Sequence, residues 1–147
     1  MEKKIEKKYV DHGFGFPICL HDVPMVKVRG AWTPEIDYNV LTRAVAMALA
    51  SNKSLLSGSQ VKFIRQFFEM TLKEFGERFN VSHPAVIKWE NQKNKPTKMD
   101  WSTEKDIRME IVRRVVQSPK QIGDLFIGLE ERPRRASDSV DVELNVA

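Results

Sequence analysis

The chain has 147 residues, with 24 Lys and Arg against 20 Asp and Glu and a formal net charge of +4. That length suits one ordinary domain, or a small domain with appendages, and the modest basic surplus suits a nucleic-acid partner without requiring one. Its one cysteine, Cys19, excludes an internal disulfide and favours a reducing compartment, while no apolar run approaches the length of a membrane span.

In chain order, Met1–Lys8 reads as a basic, solvated arm, with phosphate contact as the alternative. It is charged and is not followed by a signal-peptide apolar core, so a soluble, cytoplasmic protein is expected. From Tyr9 to Trp32, β-branched and aromatic residues broken by Gly and Pro predict one or two short strands, with a hairpin through His21-Asp22. Two strands alone are marginal and need a helix or a partner chain to pack on. Asp37 can cap the next helix, where Val40, Leu41, Ala44, Val45, Ala48 and Leu49 form an apolar stripe ending at Asn52-Lys53-Ser54. Ser57 or Ser59 begins another helix, burying Val61, Ile64, Phe67 and Phe68, with Phe63 outside that stripe.

The segment Thr71–Asn91, TLKEFGERFNVSHPAVIKWEN, is the most informative. Thr71 can cap a helix and Glu74, three residues on, can complete a capping box. Leu72, Phe75 and Phe79 share a face with Gly76 beside them. Gly costs about 1 kcal/mol against Ala in a helix, so its presence suggests a packing reason. Asn80 tolerates the left-handed conformation that ends a helix, and Val81 is an apolar plug in the turn. Ser82 caps the following helix, with Pro84 in its first turn. Val86 and Trp89 then face inward, while His83, Ala85 and Lys88 face out.

A basic loop, QKNKPTKMD, follows. Trp101 and a Ser102-Thr103-Glu104 cap begin a helix with Ile107, Ile111, Val112, Val115 and Val116 apolar, and Ser118-Pro119 breaks it before a short helix through Leu129. From Glu131 the composition predicts a disordered tail. Its last eight residues, VDVELNVA, alternate in a way that could add a strand to a partner.

Two helices joined by a tight turn, the second with a polar and basic edge, have the layout of a helix-turn-helix. The segment resembles the Xre/Cro family of DNA-binding proteins through Arg65, Thr71, Gly76, Val81-Ser82 and Trp89-Glu90-Asn91. The resemblance covers Ser59 to Pro96. It departs at Leu72, where the family usually has Gln, and at Asn80, where it usually has Gly. The expected fold is mainly α: an Xre/Cro-type helical bundle with a small N-terminal β element. Its expected parts are an arm with short strands (1–36), a connecting helix (37–57), the helix-turn-helix DNA-binding domain (58–118), and a short helix with a flexible tail (119–147).

The resemblance implies double-stranded DNA as partner, with a homodimer on an inverted-repeat operator, because two copies on a two-fold axis read half-sites about one helical turn apart. Lys88 corresponds to the residue that reads base edges in the family and can donate to guanine O6 and N7. His83 and Ala85 lie near the start of the same helix, and Pro84 offers an apolar contact. Phosphates are expected at the first-turn amides of Thr71 with Lys73, and at Ser82, Asn91, Lys93, Lys95 and Lys98. A solvated loop is the alternative for Lys93–Lys98.

The arrangement of strands, connecting helix, Xre-type module and tail also resembles antitoxins of bacterial toxin–antitoxin pairs of the HigA and MqsA types. That implies autoregulation of an operon and a cognate toxin as a second partner. The alternatives are a solitary Xre-type repressor, or a protein-interaction module that does not read DNA. His12, Cys19 and His21 lack the four ligands and CxxC pairs usual in structural zinc sites, so no metal is expected. Without a Ser/His/Asp spacing, a phosphate-binding glycine loop or paired acids, neither an enzyme nor a cofactor is expected.

Overall fold

Strand β2 (Ile18–Val28) is the spine of a mixed four-stranded sheet. In the computed structural model, which describes residues 2–116, 118–129 and 139–142, β1 (Lys3–Asp11) pairs antiparallel with it from Lys3↔Val26 to Asp11↔Ile18. Because β1 occupies one edge of β2 over those residues, the remaining partners share the other edge. There β3 (Ala31–Pro34) pairs antiparallel with Met25–Val28, and β4 (Val140–Val142) pairs parallel with Ile18–Leu20.

This sheet corrects the expected mainly α bundle to an α/β fold with a sizeable sheet. The basic arm is an error of the same kind. Residues 3–8 belong to a nine-residue strand, disguised because most of its side chains are exposed and no apolar alternation marks it. The tail strand was expected to join a partner, but Val140–Val142 joins its own chain's β2. The rest of the tail expectation, residues 130–138 and 143–147, lies outside the described residues.

No hairpin forms at His21-Asp22. Asp22 has a φ of 53° within β2, a left-handed residue inside one strand. The core-facing positions are Ile18 and Leu20 before it and Val23 and Met25 after it, with Cys19 buried on the opposite face, so the inward face changes parity there. A break in alternation that reads as a turn is here a local twist in a continuous strand.

Six helices complete the described structure: α1 (Tyr38–Ser51), α2 (Gly58–Phe67), α3 (Leu72–Arg78), α4 (His83–Glu90), α5 (Trp101–Val115) and α6 (Pro119–Gly128). Asp37 caps α1 by accepting from the amides of Asn39 and Val40 at 2.8 and 3.2 Å. Leu41, Ala44, Val45 and Leu49 of the expected α1 stripe are buried; Ala46 and Ala50 join them, while Val40 is 44% exposed. Ser57 caps α2 in a capping box with Gln60. Phe67 is only half-buried, and Phe63 packs edge-on against Phe14 and Phe16, tying α2 to the loop between β1 and β2.

Helix α5 lacks the expected Ser102–Glu104 cap. Its N-cap is Asp100, without a side-chain bond, and Glu104 lies inside the helix, paired at 2.9 Å with the buried Arg108. One continuous cluster of buried side chains runs from Phe16 and Ile18 in the sheet through α1, α2 and α3–α4 to Val115 and Val116. The sheet and the α3–α4 pair are therefore parts of one packed core.

Candidate nucleic-acid interface

Helix α3 starts as its sequence dictates. The Thr71 hydroxyl accepts from the Glu74 amide at 3.1 Å, and the Glu74 carboxylate accepts from the Thr71 amide at 2.9 Å. The bond from the Thr71 amide foremost, and the Thr71 side chain after it, hold the Glu74 carboxyl below its usual value. They also commit the Thr71 amide, so a phosphate at this helix end would meet the amides of Leu72 and Lys73. Lys73 itself is exposed, with Glu77 at 4.0 Å across one helical turn.

The turn is tight. Asn80 takes a φ of 58°, and the Val81 amide donates to the Gly76 carbonyl at 2.9 Å. A Cβ added at Gly76 would lie 2.7 Å from the Val81 carbonyl oxygen, so the close approach requires glycine. Val81 is half-buried against the core. The Ser82 hydroxyl accepts from the Ala85 amide at 3.2 Å, and Pro84 sits in the first turn of α4.

Within α4, Val86 and Trp89 are buried. His83, Pro84 and Lys88 are exposed and Ala85 is half-buried, so three of the four expected base-reading positions lie open. A further outward residue, which sequence reasoning did not single out, is Ile87, 39% exposed on the face of Pro84 and Lys88. The inward pair Val86 and Trp89, three residues apart, is the signal that could have found it, since the residues between them must face out.

Two features hold α4 in place besides its core contacts, and a third anchors α3 beside it. Arg65 in α2 grips Glu90 through two hydrogen bonds, at 2.7 and 3.1 Å. A Cβ added at Gly58, a position sequence reasoning did not single out, would collide with the Trp89 carbonyl and come within 2.7 Å of the Lys93 amide nitrogen. From α3, Arg78 reaches Asp106 at 3.0 Å and Glu110 at 2.7 Å on α5. These acids, Asp106 foremost, raise the pKa of its guanidinium.

After α4, Lys93, Lys95 and Lys98 are exposed, as is Asn91 at the helix C-cap. The loop that carries them is stitched to the start of α2. The amides of Ser59 and Gly58 donate to the carbonyls of Lys93 and Lys95 at 2.8 and 3.2 Å, and Thr97 donates to Leu56 at 3.2 Å. Lys93 and Lys98 both have positive φ, at 55° and 63°. The three lysines thus project from a backbone fixed by hydrogen bonds rather than from slack chain.

Neither a family model, nor a curated protein, nor a solved structure matches this chain. Among the described residues, no helix is long and apolar enough to cross a membrane.

Proposed function

We propose that α3 and α4 form a helix-turn-helix of the Xre/Cro kind and that the chain is a sequence-specific DNA-binding regulator. The observation that carries this reading is the exposed face of α4. His83, Pro84, Ile87 and Lys88 point outward from a helix whose back is locked by Val86, Trp89 and the Arg65–Glu90 pair. A short helix held so firmly while presenting a mixed polar and apolar edge suits docking in a major groove. Lys88 would read guanine, while Pro84 and Ile87 would meet thymine methyls. Lys93, Lys95 and Lys98 would hold phosphates beside it. One such face is small, so the reading includes a homodimer on an inverted repeat.

The finer reading, an antitoxin, needs a surface for a second protein. The N-terminal strands and the alternating tail, which suggested one, pair with each other within the chain. What supports it is the outer edge of β1. That edge is unpaired among the described residues, and β1 carries Ile5 at 71% and Val10 at 43% exposure.

The test is a gel shift on the DNA upstream of the gene, with excess nonspecific competitor and a salt series. A discrete, competitor-resistant complex is expected, weakened in Lys88→Ala by about 1–3 kcal/mol. Its salt slope would count phosphate contacts. Binding that disappears with competitor, or that is indifferent to Lys88→Ala and Ile87→Ala, would sink the reading and favour a pure protein-interaction module.

A further inference from the structure

Strands β2 and β4 bring together three metal-ligating side chains that DNA reading leaves unused. Cys19 and His21 are two apart on β2, so both point to the face opposite the buried Ile18 and Leu20. Asp141 is the register partner of Cys19 on β4. Flanked by the inward Val140 and Val142, it points the same way. Sequence spacing offered His12 as the companion of Cys19 and His21, whereas the parallel pairing supplies Asp141, 120 residues from His21 in the chain.

The Sγ, ring nitrogen and carboxylate oxygen all lie within 4.8 Å of one another, and His21 Nε2 is 3.1 Å from Asp141 Oδ1. With zinc–ligand bonds of about 2.0–2.1 Å to N and O and 2.3 Å to S, tetrahedral ligands sit about 3.3–3.5 Å apart. The nitrogen and oxygen, at 3.1 Å, sit slightly closer than that, and with all three atoms inside 4.8 Å small side-chain adjustments bring them to ligand spacing. A sulfur, nitrogen and oxygen set suits zinc, whereas calcium and magnesium take oxygen alone. Cys19 is buried while His21 and Asp141 are exposed, leaving the solvent side open for a water as fourth ligand.

We propose that Cys19, His21 and Asp141 bind a zinc ion that clamps β4 onto β2. Binding requires the Cys19 thiol to give up its proton to solvent. Because the three ligands meet only when β4 is docked, the ion stabilises that state and couples docking of the C-terminal strand to metal supply. Val140 and Val142 belong to the same buried cluster as α1 and α3–α4.

The test titrates reduced, metal-free full-length protein with cobalt(II), which reports thiolate ligation by a near-ultraviolet charge-transfer band. One equivalent should develop the band and zinc should abolish it. Loss of a direct ligand should cost at least as much as loss of an outer-shell partner, so His21→Asn and Asp141→Asn should each weaken cobalt binding by more than about tenfold. Both positions are exposed, so these variants keep the fold even where Cys19→Ser does not. Zinc should also slow amide exchange at residues 140–142 in the natural sequence but not in Asp141→Asn. A missing band, affinity unchanged in both variants, or exchange indifferent to zinc would overturn the proposal.

Discussion

Arg65 and Glu90 join α2 to the end of α4 in a forked ion pair, Nε to Oε2 at 2.7 Å and Nη2 to Oε1 at 3.1 Å. A third guanidinium nitrogen, Nη1, donates to the Met70 carbonyl at 3.1 Å, just before the α3 cap. One side chain thus ties together the helix that supports the interface, the start of α3 and the end of α4. The side chains are only 14% and 11% exposed, so solvent screens the pair weakly. Breaking it strands a charge. Arg65→Met or Glu90→Gln is expected to lower stability by about 3 kcal/mol, and the double variant by less than the sum of the two. Urea unfolding of the four proteins checks this. Additive losses would mean that the two residues act separately.

Gly76 and Gly123 should respond to alanine in opposite directions. At Gly76 the new methyl would press on the Val81 carbonyl oxygen at 2.7 Å, and backbone must shift to admit it. Overpacking outweighs the gain in helix propensity, and a net loss of about 1–2 kcal/mol is expected. At Gly123, inside α6, nothing lies within 4 Å of the added Cβ. Gly123→Ala should stabilise by about 0.5–1 kcal/mol. Thermal unfolding of both distinguishes crowding from a general glycine effect, and equal shifts would refute the account of the turn.

The features legible in the sequence are those written within a few residues of one another. Asp37, Ser57, Thr71 with Glu74, Ser82 and Asn80 act through their own backbone neighbourhood, and each does so here. Gly76 was legible because a glycine in a helix needs a reason. What stayed hidden depends on partners far along the chain. The lysines and the glutamate of β1 resemble a solvated arm until β2 is beside them. The valines of β4 find β2 across more than a hundred residues. At the candidate interface, Gly58 was overlooked because its neighbour, the Trp89 carbonyl, lies on another helix. Asp22 misled because a left-handed residue and a turn interrupt alternation in the same way.

The Glu74 cap should give α3 a defined acid sensitivity. Hydrogen bonds from the Thr71 amide and hydroxyl lower the folded-state pKa of Glu74 from its ordinary 4.5. A lowered carboxyl contributes stability that is fully present above the unfolded value and is lost as the pH falls through the folded one. The cap should therefore be complete at neutral pH and fail only below 4.5. Glu74→Gln keeps an acceptor for the Thr71 amide but does not titrate. The stability difference between it and the natural sequence should shrink as the pH falls below that range. Thermal unfolding from neutral to acid pH would reveal this convergence, and a constant difference would refute the assignment.

Arg108 should be the least replaceable side chain of α5. It is fully buried, and burial pulls its guanidinium below its ordinary pKa while the Glu104 carboxylate at 2.9 Å opposes the shift. It also donates to the carbonyls of Leu49, Asn52 and Ser54, closing the end of α1 and the strand of chain that follows. Glu104 in turn accepts from the Leu56 amide at 3.3 Å. Arg108→Met leaves the Glu104 charge and three carbonyls without their donor, and a loss of about 3–5 kcal/mol is expected. Replacing both members of a buried ion pair by apolar residues is often neutral, but here Arg108→Met with Glu104→Leu should not recover stability. The carbonyls and the Leu56 amide would remain orphaned, each at about 1–3 kcal/mol. Arg108→Lys keeps the charge with a single ammonium that cannot serve every carbonyl, and should fall between. Denaturant unfolding of the series decides it: a double variant as stable as the natural protein would mean that Arg108 serves only its ion pair and not the end of α1.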